Sequence, residues 1–277
     1  MPQTSQTNSY LDEYGSPLLL RSIVAFVDIL GYSELCREEP DSLSLLANIR
    51  DTLRGAFRSL DPDYGELIGA QRYWMTKTFT DNIVFGLPIT FQDGSAELGM
   101  VLGRLGEFQL QMTHAGFFVS GAISVNKIYI DKHIVFGPAL IEAYDAQQNL
   151  ARDPRIVLAD SVREMSYIQQ RADVTNVVAH QYDMLLKDSD GQMFLNYLQG
   201  VVEFEHDMGY PDTEYLEKHR DHILERLASF ISQPRIWAKY YWCAMYHNYF
   251  CMGREEFNEF KIHSDSLTPQ PQRIMDS

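Results

Sequence analysis

Residues 23–30, IVAFVDIL, place a single acid, Asp28, at the end of five consecutive apolar residues. A continuous apolar run of this length is typical of a strand that is covered on both faces. Burying an unpaired carboxylate in such a strand is costly, so the acid is normally neutralised, paired or bound to a metal. Asp28 therefore either ends the strand and caps the helix that follows, or it binds a cation.

A second acid, Asp81, lies in the strand-like residues 77–85, KTFTDNIVF. The two carboxylates can meet if their strands are neighbours in one sheet. Hard cations such as Mg²⁺ or Mn²⁺ are held by one or two carboxylates, with phosphate and water in the remaining positions. The turn at Gly31 leads towards a helix, whose first N–H groups are suitable phosphate ligands. The pattern predicts a metal and phosphate site, and two structural acids beside an ordinary turn remain the alternative.

The order of the patterned segments is β-α-ββ-α-β-(β)-α-β, which predicts an α/β sandwich with a C-terminal helical extension. Residues 188–191, DSDG, resemble part of a calcium loop, but the later ligands are missing and we interpret them as a hairpin turn. The predicted organisation is a flexible leader (1–19), a catalytic domain (20–205), a helical extension (206–263) and a loose tail (264–277).

The last predicted helix is rich in aromatic residues, which indicates either a packed helix face or a dimer contact. These residues are Tyr240, Tyr241, Trp242 and Tyr246.

The charge balance argues against a nucleic-acid partner. With 38 acids and 23 Lys and Arg residues the formal net charge is −15, whereas phosphate binding by a surface needs a basic face. Three cysteines without zinc or disulfide spacing indicate a reduced, cytoplasmic setting. The polar leader has no signal-peptide core, and the absence of a run of about 18 apolar residues predicts no membrane span.

Four segments in order resemble the class III nucleotide cyclases, and most of all the bacterial pyrimidine cyclases of the Pycsar anti-phage system. They are FVDILGYSEL, KTFTDNIVFG, SGAISVNKIYIDKHIVFGPALIEAYDAQ and PRIV, which together cover about residues 20–160. The resemblance implies a ferredoxin-like α/β catalytic domain with a mixed sheet, and a head-to-tail homodimer with active sites at the subunit interface.

The same resemblance assigns roles to individual residues. It makes Asp28 and Asp81 the ligands of two Mn²⁺ or Mg²⁺ ions, with the Ile29 carbonyl oxygen as a third ligand. Lys77 falls where purine cyclases carry a base-reading residue, although a solvated strand lysine is the plain alternative. The residues expected to hold the triphosphate are Leu30, Gly31, Tyr32 and Ser33.

The sequence also departs from the purine cyclases. Ile141 and Asp145 stand where those enzymes carry an asparagine and a transition-state arginine, Ile134 replaces a polar base reader, and Ser120 replaces an expected arginine. These departures leave either a rewired pyrimidine site or a weakened enzyme. The cations that remain to neutralise the transition state are Lys77, Lys127, Lys132 and Arg155.

The sequence thus predicts a cyclase that converts UTP to cyclic UMP and pyrophosphate. Its product would act on a separate effector protein that responds to cyclic nucleotides. The alternatives are a cytidylate cyclase, an adenylate cyclase, which Lys77 favours and Ile134 and Ile141 disfavour, and a non-catalytic nucleotide-binding or dimerisation module of the same fold.

Overall fold

The computed structural model describes residues 8–38, 41–58, 74–90, 93–165, 183–202 and 211–267. The chain divides into two compact units, residues 1–200 and 201–277, which are described separately. The predicted domain boundary at residue 205, the first seven residues of the leader and the last ten of the tail lie outside the described residues.

Strand β1 (Leu20–Ile29) lies in the interior of the sheet of unit 1, between β3 and β4. Its alternate residues serve two cores: Val27 and Ile29 pack on one face, and Val24 and Phe26 pack on the other. This two-sided burial explains why the strand is apolar at successive positions.

Within the described residues the sheet has eight strands in the order β2-β3-β1-β4-β6-β8-β7, and β5 pairs with β4. β1 is antiparallel to both β3 and β4, and β4 is parallel to β6. The other strands are β2 (Met75–Phe79), β3 (Asn82–Pro88), β4 (Val119–Ile130), β5 (Val135–Phe136), β6 (Ile156–Leu158), β7 (Leu185–Lys187) and β8 (Met193–Leu195).

Two long helices cover the two faces of the sheet. The buried side of one helix, which includes Leu98 and Leu105, packs into the core of Val27, and Ala139 and Ala143 of the other pack into the core of Phe26. The helices of unit 1 are α1 (Tyr32–Glu38), α2 (Leu43–Arg58), α3 (Ser95–His114), α4 (Pro138–Leu150) and α5 (Asp160–Arg163), and a 3-10 turn spans Tyr197–Gln199.

The predicted mixed α/β fold is confirmed. The Ser42 hydroxyl accepts the Leu45 N–H (3.2 Å) and caps α2. The DSDG segment forms the turn of the β7–β8 hairpin, closed by the Gly191 N–H on the Asp188 carbonyl oxygen (2.9 Å).

Residues 8–19, predicted as part of a flexible leader, pack against the sheet instead. Tyr10 is fully buried, and its hydroxyl donates to Ser22 Oγ (3.0 Å). The Asn8 side-chain amide donates to the Ile130 carbonyl oxygen (3.1 Å). A buried aromatic ring and two side-chain hydrogen bonds hold this polar segment, a feature that its composition does not signal.

Unit 2 is helical, as predicted for the C-terminal extension. Helices α6 (Glu214–Ser229) and α7 (Pro234–Cys251) are followed by a 3-10 helix (Glu255–Phe260) and a short helix α8 (Ser264–Leu267). Leu267 is largely buried, so this first part of the predicted loose tail is packed.

Two buried histidines lie between α6 and α7. His247 Nε2 is 2.9 Å from the Phe260 carbonyl oxygen, which can only accept, so this nitrogen carries the proton and donates. Nδ1 of neutral His247 therefore accepts from Nδ1 of His219, 3.0 Å away. Burial lowers the pKa of both rings, that of His247 to about 4.

Among the described helices of both units, none combines the length and the hydrophobicity that a bilayer crossing requires.

Candidate metal and nucleotide site

Strand register places Asp28 in a row of four side chains across the sheet. Asp28 pairs with Asn82 on one side and with Ser120 on the other, and Asn82 pairs with Phe79. Directly opposed residues of antiparallel strands point to the same face of the sheet. This is the face of Phe26 and α4, and Asp28 is half-buried at its rim.

Asp81 lies in the tight turn between β2 and β3. Its carbonyl oxygen accepts the Ile29 N–H (3.2 Å), which extends the β1–β3 pairing by one residue beyond Asp28 and Asn82. The two acids therefore lie at the same end of adjacent strands.

Neutral neighbours orient the Asp81 carboxylate. Its Oδ1 accepts the Asn82 side-chain amide (3.0 Å) and lies 2.7 Å from the Thr80 hydroxyl, whose single proton is shared between this carboxylate and the Phe79 carbonyl oxygen, 2.6 Å away. Thr80 has a φ of 56°, and no other described residue except glycine has a positive φ. A β-branched residue in this left-handed region costs roughly 1 kcal/mol or more. Strain of this kind is common where a turn is shaped for a function.

The segment that follows Asp28 forms a turn into α1. Gly31 has a φ of 75°, and its carbonyl oxygen accepts the Leu35 N–H (3.0 Å). The Leu30 N–H donates to the Phe118 carbonyl oxygen (2.8 Å), so this predicted phosphate donor is already used within the fold. The remaining residues predicted to hold phosphate are Gly31, Tyr32 and Ser33.

Tyr32 links α1 to the acidic corner. Burial, a hydrogen bond with Cys36 and the negative charge of Asp81 raise its pKa. The phenol therefore stays protonated at neutral pH and can donate a hydrogen bond.

Lys77 shares the face of Asp28, because it pairs with Val84, which in turn pairs with Phe26. Its amine donates to the Lys132 carbonyl oxygen in the turn between β4 and β5. That turn is fixed by Asp131, whose carboxylate accepts the N–H groups of Ile134 (2.7 Å) and His133 (2.6 Å). These bonds, with one from the Tyr129 hydroxyl, lower the pKa of Asp131 to about 2.

The residues that depart from the purine cyclases have clear positions. The Ser120 hydroxyl accepts the Gln147 amide from α4 (3.1 Å). Ile134 and Ile141 are exposed, by 55% and 63%, and Asp145 is exposed on α4. Nothing in these contacts supplies the missing asparagine, arginine or base reader.

Arg155 is unsuitable as a cation for the transition state. Its side chain is fully buried and forms ion pairs with Asp188 and Asp190 of the β7–β8 turn. Desolvation by itself would raise the pKa of Asp190, but the hydrogen bonds from Arg155 and the Gln192 N–H, together with the positive charge of Arg155, outweigh it and lower this pKa. Arg155 therefore neutralises a structural pair of acids, and this sequence candidate is wrong.

The donor set at the corner fits a hard divalent cation. Among the described residues, no group of three or more His, Cys, Asp and Glu side chains could hold a metal by itself. Two carboxylates and the Ile29 carbonyl offer only oxygen, and such a partial set suits Mg²⁺ or Mn²⁺ that also binds phosphate and water. Sequence reasoning missed Thr80 and Asn82; their position on either side of a turn acid was the available signal.

No protein-family model and no curated protein matches the chain. Solved structures with a similar fold include a class III adenylyl cyclase-like ATP-binding protein from Pseudomonas aeruginosa, with 11% identity over 60% of this chain and a TM-score of 0.40. The chain spans 38% of the length of that protein. The catalytic core of a rhodopsin-guanylyl cyclase with converted specificity, in complex with ATPαS, has 13% identity over 64% of this chain and 94% of its own, with a TM-score of 0.40.

A third similar structure is an adenylate/guanylate cyclase/hydrolase from Silicibacter pomeroyi. It has 16% identity over 63% of this chain and 94% of its own length, with a TM-score of 0.34.

Proposed function

We propose that the chain is a nucleotide cyclase that converts UTP to cyclic UMP and pyrophosphate with the help of Mn²⁺ or Mg²⁺. The observation that carries this proposal is the hydrogen bond from the Ile29 N–H to the Asp81 carbonyl oxygen, because it brings the two acids to one end of adjacent strands. The sequence segments that resemble class III cyclases support the same reading, since they contain both acids.

In the proposed reaction the ribose 3′ oxygen attacks the α-phosphorus, a bond from this oxygen to phosphorus forms, and the bond to the β-phosphate oxygen breaks. Pyrophosphate leaves, and the 3′ hydroxyl proton passes to solvent. Divalent ions, when bound, would lower the pKa of the attacking hydroxyl and neutralise charge on the leaving phosphates. Asp28, Asp81 and the Ile29 carbonyl would hold these ions, while Thr80 and Asn82 keep the Asp81 carboxylate in position.

The phosphate tail is proposed to lie over the turn into α1, where Gly31, Tyr32 and Ser33 supply donors. Gly31 allows the left-handed backbone that turns the chain here. The protonated Tyr32 phenol adds a hydrogen-bond donor close to the charge of Asp81.

A pyrimidine substrate is favoured by the state of the purine-reading positions. The Lys77 amine is held by the Lys132 carbonyl oxygen, and Ile134 presents an apolar side chain to solvent. Neither arrangement offers the polar pair that would recognise a purine edge. UTP is the proposed substrate. CTP is the second candidate, because residues 77 and 134 do not distinguish one pyrimidine from the other.

A homodimer with sites at the subunit interface is part of the proposal. Large apolar side chains are exposed on β2, the β4–β5 arm and α4 of the sheet face that carries Asp28, and we propose that they contribute to the subunit interface. These side chains are Phe79, Ile134, Phe136, Ile141 and Tyr144. We further propose a role in anti-phage defence, with a separate effector that responds to the cyclic nucleotide.

The test is to incubate the purified full chain with each of UTP, CTP, ATP and GTP in Mn²⁺ or Mg²⁺, and to identify products by mass spectrometry. We expect cyclic UMP from UTP and its loss in Asp28→Ala and Asp81→Ala. Glu164→Gln is the matched control, since Glu164 is an exposed acid of unit 1 outside the site.

The outcomes separate the rival functions. Cyclic CMP or cyclic AMP as the main product would mean that CTP or ATP, and not UTP, is the substrate, and the chain would still be a nucleotide cyclase. Nucleotide binding without any cyclic product would support the non-catalytic module. Full activity in either aspartate variant would remove the assigned metal site.

A further inference from the structure

The buried side of α4 changes from apolar to polar near the C-terminal end of the helix. Its buried residues at steps of four are Ala139, Ala143 and Gln147, and residues with this spacing lie on one side of a helix. Ala139 and Ala143 pack into the core of Phe26, whereas Gln147 is only 6% exposed and carries an amide. A buried amide needs hydrogen-bond partners, so the partners of Gln147 indicate its role.

The Gln147 amide holds the hydroxyl of Ser120 on β4. Its nitrogen donates to Ser120 Oγ (3.1 Å), and its oxygen accepts the side-chain amide of Gln148 (2.6 Å). Ser120 is 4% exposed. A serine hydroxyl has one proton to donate, and among the described residues the structure gives the Ser120 hydroxyl no acceptor. Ser120 is therefore a buried donor that is fixed by α4 and whose proton is not used within the described part of the fold.

Strand register places this donor beside Asp28. Ser120 and Asp28 are directly opposed on antiparallel strands, so their side chains lie on the same face of the sheet. The Cβ atoms of such a pair are about 4.5–5.5 Å apart, which lets an Asp28 carboxylate oxygen reach the Ser120 hydroxyl. An ionised carboxylate only accepts hydrogen bonds, so it complements a hydroxyl proton. On the other side of β1 the residue opposite Asp28 is Asn82, so neutral polar residues flank this acid on both sides.

We propose that Ser120 and Gln147 are positioning residues for Asp28. The Gln147 amide fixes the Ser120 hydroxyl, and this hydroxyl donates to one oxygen of the Asp28 carboxylate. The other oxygen is then available to a divalent cation at the end of the strand where Asp81 lies. Ser120 and Gln147 are neutral, so they orient the carboxylate without cancelling its charge. Hydrogen bonds of this kind commonly orient the side chains that bind a metal.

This inference rests on the proposed function, because it takes Asp28 as a ligand of Mn²⁺ or Mg²⁺. It gives Ser120, which stands where an arginine is expected, a role of its own as a neutral donor. It also adds Gln147, which no sequence pattern singled out, because only the packing of α4 on the sheet brings its amide to β4. The suitable measurement is metal binding, since it reports the carboxylate directly and does not require turnover.

The experiment measures Mn²⁺ binding by the full chain without nucleotide, from the electron paramagnetic resonance signal of free Mn²⁺, in about 0.15 M KCl to screen weak surface binding. Ser120→Ala and Gln147→Leu are each expected to weaken Mn²⁺ binding about ten-fold. The double variant is expected to stay within about two-fold of Ser120→Ala, because Gln147 acts only through the Ser120 hydroxyl. Gln147→Leu changes a different element, so it keeps the test decisive if Ser120→Ala folds poorly.

Ser124→Ala is the matched control. Ser124 is a fully buried serine of the same strand, and its hydroxyl donates to the Ala139 carbonyl oxygen of α4 (2.7 Å). The residue opposite Ser124 is Val24, not Asp28. Ser124→Ala also removes a hydrogen bond between β4 and α4, so we expect a lower melting temperature with unchanged Mn²⁺ binding. A purely structural role of Ser120 would make the two serine variants alike and would overturn the inference.

Asp28→Ala separates a failure of this inference from a failure of the proposed function. Loss of Mn²⁺ binding in Asp28→Ala, together with wild-type binding in Ser120→Ala, would overturn the positioning role alone. Wild-type binding in Asp28→Ala would remove the metal site and this inference with it. A double variant about ten-fold weaker than either single variant would show that Ser120 and Gln147 act independently, against the proposed link. A raised KM for UTP in Ser120→Ala with unchanged Mn²⁺ binding would mean that Ser120 contacts the substrate instead.

Discussion

Unit 1 contains two pairs of aspartates whose carboxylates have different partners. One pair, Asp188 and Asp190, lies in the β7–β8 turn; the other consists of Asp81 in the β2–β3 turn and Asp28 near the end of β1. Asp188 and Asp190 bind the guanidinium of the fully buried Arg155, which also lies 5.8 Å from the centre of the Phe194 ring. The Asp81 carboxylate, next to Asp28, is held by a hydroxyl and an amide, which are neutral.

We propose that this difference separates the acids that belong to the fold from those of the proposed site. Arg155 neutralises the carboxylates of Asp188 and Asp190, so the negative charge of this pair is compensated within the fold. Neutral donors orient a carboxylate without cancelling its charge, which leaves it able to bind an external cation. Acidic residue type alone does not separate the two cases.

The largest expected effect is on cyclase activity, and it distinguishes a substitution in the Asp28–Asp81 pair from one in the Asp188–Asp190 pair. Asp81→Asn is expected to lower cyclase activity at least about a thousand-fold, because a metal ligand is lost, with a melting temperature close to that of the wild type. Asp188→Asn is expected to keep activity and lower the melting temperature. Product formation and thermal unfolding of both variants check this, and the reverse pattern would exchange the roles of the two pairs.

The second-largest expected effect is a loss of stability on removal of the Arg155 side chain. Arg155→Met leaves Asp153, Asp188 and Asp190 close together without their cation, so we expect a loss of about 3 kcal/mol in the free energy of unfolding. Urea denaturation measures this loss. Lys187→Met, which removes an exposed cation from the same hairpin, should stay within about 0.5 kcal/mol of the wild type.

A third titratable pair, His219 and His247 in unit 2, extends the comparison to groups that are buried without charge. The pKa of His247 is lowered to about 4, so between pH 6.5 and 4 the unfolded chain binds a proton that the folded chain does not. The free energy of unfolding is therefore expected to fall by about 3 kcal/mol from His247 as the pH drops through this window.

Denaturation at several pH values, followed by the fluorescence of Trp237 and Trp242, measures this dependence. Removal of the exposed His263 by a His263→Gln substitution should leave the slope unchanged. A flat stability profile between pH 7 and 4 would show that the histidines are not buried in neutral form.

The smallest expected effect concerns the neutral donors at Asp81. Thr80→Val keeps the shape of the residue but removes the hydroxyl, so we expect the Mn²⁺ concentration for half-maximal activity to rise about ten-fold. Thr80→Ser should remain near the wild type. A metal titration of initial rates checks this, and equal values for the valine and serine variants would mean that the hydroxyl does not position Asp81.

Much of the fold follows from local sequence signals. The apolar run around Asp28 predicts a strand covered on both faces, and residues 188–191 predict a hairpin turn, both of which the structure contains. These features depend on near neighbours in the chain, for which residue type and spacing carry the information.

The sequence by itself determined the types of the elements and the two acids that carry the proposed site. The tertiary structure decided which charges are already neutralised: it paired Arg155 with Asp188 and Asp190, tied Lys77 to the Lys132 carbonyl oxygen and buried Tyr10. The Arg155 and Lys77 contacts join residues that are distant in the chain, and Tyr10 is buried by residues from several elements. Their free energy depends on distance and burial in space, which a one-dimensional pattern does not contain.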